Sequence, residues 1–106
     1  MLIELLVVEN CPSEGPTREL ITSAAREAGL TDLTLATIVI VDQAEADAYE
    51  FAGSPMVRLN GRDPFGSGER PSLSCRLYPT AAGLRGIPDR AELRDAILRE
   101  AASRST

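Results

Sequence analysis

Two apolar runs with a helical pattern between them constrain this chain more than any other feature. Residues 2–8, Leu-Ile-Glu-Leu-Leu-Val-Val, form a short and nearly continuous apolar run, as suits a strand buried on both faces of a sheet. From Thr17 the apolar residues fall at Leu20, Ile21, Ala24, Ala25 and Ala28. That spacing makes one face of a helix, and Gly29 supplies its stop. Pro12 and Pro16 can each occupy a first-turn position, where a missing N–H costs nothing. Leu33 to Val41 is the second run, with Leu35, Ile38, Val39, Ile40 and Val41. A strand, a crossover helix and a second strand imply a parallel pair.

The rest of the chain extends this pattern. Asp42 with Glu45 three residues on predicts a capped helix through about Ala52, ended by Gly53-Ser54-Pro55. Met56-Val57-Arg58-Leu59 predicts a third strand, closed by the Asn60-Gly61 turn signal. Residues 61–71 are rich in Gly, Pro and charge and predict a loop. Gly66-Ser67-Gly68 within it lacks the Lys and the strand-to-helix context of a phosphate loop. Leu73, Cys75 and Leu77 alternate, which predicts a fourth strand with those three on one face. Asp89 and Glu92 repeat the capping pattern, and Leu93, Ala96, Ile97 and Ala101 line one face of a last helix. Tyr49 and Phe51 read as helix-to-core contacts and Tyr78 as a strand-end residue, while residues 103–106 are expected to fray. The expected fold is α/β, one domain over residues 1–106, in the order β-α-β-α-β-β-α. Its mixed four-stranded sheet, with parallel pairings across both helix crossovers and an antiparallel pair of third and fourth strands, carries helices on both faces.

Composition narrows function by exclusion. At 106 residues, 43% hydrophobic and 25% charged, the chain suits one globular core. A net charge of −5, with scattered arginines as its only cations, disfavours nucleic acid as a partner. Histidine is absent, which removes the usual general base near neutral pH and leaves two cysteines too few for a Cys/His zinc site. No cofactor motif is present. The apolar start lacks the basic leader and cleavage site of a signal peptide, and no apolar run has the length of a membrane span. A cytoplasmic location is the default expectation. Two cysteines there read as free or catalytic before they read as a structural staple.

Chemistry therefore centres on sulfur. Cys11-Pro12-Ser13-Glu14 lies just after the first strand, at the start of the first helix, and Ser54-Pro55 lies just before the third strand. This placement resembles the thioredoxin-like superfamily, in which a reactive Cys opens the first helix and faces a cis-proline ahead of a core strand. The resemblance implies a cis Ser54–Pro55 bond and a substrate site formed by Pro12, Ser54 and Pro55. It departs from the family at Glu14, which stands where the second Cys of Cys-x-x-Cys would be. A helix N-terminus favours an anion such as a thiolate, whereas Glu9 and Glu14 bring opposing negative charge. A cis-Pro turn has no N–H at the proline, and it is expected to leave the preceding backbone free for an extended substrate.

Three functions follow. In the first, Cys11 acts on a thiol or disulfide, carried by a small molecule or a peptide, either as a monothiol or with Cys75 as a second thiol that resolves the mixed disulfide. In the second, Cys11, Glu14 and Cys75 resemble the catalytic set of organomercurial (alkylmercury) lyases, two thiolates gripping the metal and a carboxyl group supplying a proton. That family uses an Asp and a longer chain. In the third, the domain is a non-catalytic binding module that takes an extended peptide. The plainer alternatives are Glu14 as a helix-stabilising carboxylate and Cys75 as core packing.

Overall fold

The computed structural model describes residues 1–66 and 70–104. Strand β1 (Leu2–Val8) is followed by α1 (Glu14–Glu27), β2 (Thr34–Ile40), α2 (Gln43–Tyr49) and β3 (Met56–Leu59). Two short strands, β4 (Tyr78–Thr80) and β5 (Gly83–Arg85), precede the last helix, α3 (Arg90–Arg104). Among the described residues the main sheet has the order β2-β1-β3, and β4 pairs with β5 as a separate ribbon. Strand β1 runs parallel to β2 from Leu2↔Thr34 to Val8↔Ile40. It runs antiparallel to β3 from Ile3↔Leu59 to Leu6↔Met56, so the crossover through α2 yields no parallel pair, and among the described residues no fourth strand joins the sheet beside β3.

The central strand is apolar because it is covered twice. Successive side chains of a strand point to opposite faces. Ile3, Leu5 and Val7 join Ile21, Ala24 and Ala25 of α1, Val57 and Leu59 of β3, and Leu93, Ala96 and Ile97 of α3. Leu6 turns the other way, to Ile40, Ala46 of α2, Phe51 and Met56. Helices therefore lie on both faces of a mixed sheet.

Several boundaries move from their expected places. Helix α1 starts at Glu14 with Ser13 as N-cap, so Pro16 sits inside its first turn, where no intrahelical N–H partner is needed. Helix α2 stops at Tyr49, short of Ala52, because Glu50 turns left-handed with φ 54. Asp42 caps it as expected, its side chain accepting from the Glu45 N–H at 2.8 Å. Tyr49 is exposed and Phe51 fully buried, so only the second makes the expected core contact. Helix α3 continues through Ser103 and Arg104, while Ser105 and Thr106, also expected to fray, lie outside the described residues. Ser67 and Gly68 of the expected loop lie outside them too.

The expected fourth strand is the main correction. Residues 73–77 form no ladder; their one pairing is an isolated parallel bridge between Ser54 and Cys75. Leu73, Cys75 and Leu77 share no buried face, since all three are exposed. Arg76 between them is the buried residue. Its guanidinium meets the Asp63 carboxylate at 2.6 Å, donates to the Phe65 carbonyl and lies 4.6 Å from the centre of the Tyr78 ring. Those contacts turn the segment over, so the charged residue goes inward and the apolar ones outward.

Candidate functional site

Both cysteines lie at the end of the sheet where β1 finishes. After Val8 the chain turns through Asn10, which takes a positive φ of 59. The Cys11 N–H then donates back to the Val8 carbonyl at 3.3 Å, and the Cys11 carbonyl accepts from the Glu14 N–H at 3.2 Å. Cys11 thus stands two residues ahead of the N-cap. It is half-buried against the core cluster under α1 and α3, while Pro12 beside it is exposed. One first-turn amide of α1 is already used by the Cys11 carbonyl, and Pro16 supplies none.

The Ser54–Pro55 peptide bond is cis. Ser54 is only 2% exposed, and the chain itself uses all three of its polar groups. Its Oγ accepts from the Val8 N–H at 3.1 Å, extending the reach of β1 past the last β1–β3 pair. Its N–H donates to the Ser74 carbonyl at 3.0 Å, and its carbonyl accepts from the Arg76 N–H at 2.9 Å. The backbone expected to be free for substrate is therefore occupied by residues 74–76, with Cys75 as the bridge partner of Ser54. Gly53 makes the approach possible: a Cβ there would meet Arg76 Cβ at 3.0 Å and the Ser74 carbonyl at 3.1 Å, and its φ is +129.

Ser54 thereby links the two sulfur positions. One hydrogen bond ties it to Val8, whose carbonyl holds Cys11, and two tie it to the strand of Cys75. Both thiols are free. Glu14 has another engagement, an ion pair with Arg18 at 2.8 Å along the helix surface. Arg18 also donates to Thr37 Oγ1 of β2 at 3.2 Å. Among the described residues no three His, Cys, Asp or Glu side chains cluster closely enough to hold a metal ion. Cys11, Glu14 and Cys75 are thus not gathered into one metal-gripping set.

Residues that sequence reasoning missed surround Cys75. Tyr78 donates its hydroxyl to the Pro55 carbonyl at 2.6 Å and is buried. Burial pushes its phenol above the usual range; the Arg76 charge opposes this and the Asp63 charge adds to it. Phe65 meets the Tyr78 ring edge-on, with centroids 5.5 Å apart. Pro64, Phe65, Gly66, Cys75, Leu77 and Glu92 help to line a cavity of about 560 Å³. The pairing of Asp63 with Arg76 spans 13 residues, and no local pattern marks it.

The fold and the site define a mixed α/β domain with two free thiols at the edge of a cis-proline turn. No protein-family model, no curated protein and no solved structure matches the chain. No helix among the described residues is long and apolar enough to cross a membrane.

Proposed function

We propose that this chain is a thioredoxin-like thiol–disulfide oxidoreductase acting through Cys11 and Cys75 as a thiol pair. The observation that carries this reading is the hydrogen-bonded connection of both cysteine segments through Ser54, at the cis-Pro55 turn. The parallel β1–β2 pair with β3 antiparallel beside β1 supports the thioredoxin-like assignment. Thiol exchange needs a nucleophilic sulfur, a disulfide and a second thiol to release the product. Two free cysteines also suit a reducing, cytoplasmic setting. The organomercurial reading is weakened at its acid, because Glu14 is engaged with Arg18.

The test is catalysis of exchange between glutathione and hydroxyethyl disulfide. The reduced chain should accelerate it above the uncatalysed rate, and Cys11→Ser should lower that acceleration about tenfold, because intramolecular resolution works at a high effective concentration. Full activity in Cys11→Ser, or no acceleration by the native chain, would overturn the reading.

A further inference from the structure

The substrate class follows from what surrounds Cys75, given the thiol-exchange reading above. An extended polypeptide would bind the cis-proline turn through the backbone of Ser54, and that N–H and carbonyl are already paired with Ser74 and Arg76. Cys75 is exposed and lines the cavity of about 560 Å³, whereas Cys11 is half-buried and does not line it. A space of that size falls within the range of small-molecule sites, roughly 300–1,000 Å³. Its walls include Phe65, Tyr78 and Leu77, the last 60% exposed and left for a ligand to cover. Its charge is one-sided: Arg76 is neutralised by Asp63, which leaves Glu92, in the first turn of α3, as the unmatched charge among the described lining residues.

We propose that this cavity admits a small disulfide with an apolar body and a cationic or neutral head, and that Cys75, not Cys11, makes the first attack. The Cys75 thiolate bonds to one substrate sulfur, the substrate S–S bond breaks, and the other half leaves as a thiolate that takes a proton from water. Cys11, as thiolate, then attacks the Cys75 sulfur and expels the second half as a thiolate, which likewise takes a proton from water. The protein ends as a Cys11–Cys75 disulfide, having lost two electrons to the substrate, which leaves as two thiols. A polypeptide disulfide is a poor substrate because its chain finds the turn occupied.

The experiment uses the reduced full chain at low salt with cystamine, hydroxyethyl disulfide, dithiodiglycolate or insulin. Acid-quenched samples are digested, and each cysteine is followed by mass spectrometry. A unit charge about 7 Å from a carboxylate in water changes a rate roughly 2.7-fold, so the cation-to-anion preference from Glu92 is about sevenfold. We expect Cys75 to carry the first adduct, with insulin slower than any small disulfide by at least about tenfold. We also expect the cystamine-to-dithiodiglycolate ratio to fall about sevenfold in Glu92→Gln. High salt should erase the same preference in the unmutated chain. First modification at Cys11, an unchanged ratio in Glu92→Gln and in salt, or insulin reacting as fast as cystamine would each overturn the inference and leave thiol exchange standing. No exchange with any probe at either cysteine would overturn both.

Discussion

Replacing Ser54 by Ala removes the side-chain acceptor that ties the cis-proline turn to the end of β1. Ser54 Oγ is the acceptor for the Val8 N–H at 3.1 Å, and Ser54 is 2% exposed. Leaving a buried donor without a partner costs about 1–3 kcal/mol. Val8 is only half-buried, so water reaches part of the orphaned group, and we expect about 1–2 kcal/mol. For a domain near 100 residues that is a fall in melting midpoint of roughly 4–9 °C. The assay is urea unfolding together with amide hydrogen exchange. In Ser54→Ala the Val8 amide should lose protection out of proportion to the amide of Leu6, deeper in the same strand. Val57→Ala, in the fully buried core, should instead lower both amides together. An unchanged unfolding midpoint with Val8 still protected would refute the argument that Ser54 secures the end of β1.

Two further predictions are independent of the thiols. Thr17 is fully buried and its hydroxyl has no hydrogen-bond partner among the described residues; Thr17→Val keeps the shape and removes the unmet group, so it should stabilise the chain by about 0.5–2 kcal/mol in urea unfolding. Tyr78 has its phenol pushed above the usual range by burial; the unfolded chain releases that proton near pH 10 while the folded chain keeps it. Stability should therefore be intact below about pH 10 and fall above it, by up to about 1.4 kcal/mol per pH unit. The chain has no Lys to obscure that window. Tyr78→Phe should flatten the fall, and an equal slope in that variant would contradict the assignment.

The parts legible in the sequence were those written as local periodicity. The apolar run at residues 2–8 became the doubly covered central strand, and the Leu20–Ala28 pattern became α1, because a buried face dictates side-chain spacing directly. Asp42 and Asp89 both accept from the N–H three residues on, as their capping patterns require. The segment around Cys75 was misjudged for a different reason. The alternation Leu73-Cys75-Leu77 is a genuine period of two, but an ion pair with distant Asp63 and the stack on Tyr78 bury Arg76 instead. A long-range contact of that kind leaves no trace in a short window. The same holds for the occupied Ser54 backbone: Gly53 permits the close approach, yet nothing beside it names the partner strand.

The most direct test of the two-cysteine account is oxidation of the native, reduced chain with one equivalent of diamide, followed by non-reducing digestion and mass spectrometry. The account predicts one product, a peptide pair joined by a Cys11–Cys75 disulfide within a single chain and reversed by dithiothreitol. Chains linked only to one another, or two cysteines still free after oxidation, would contradict it.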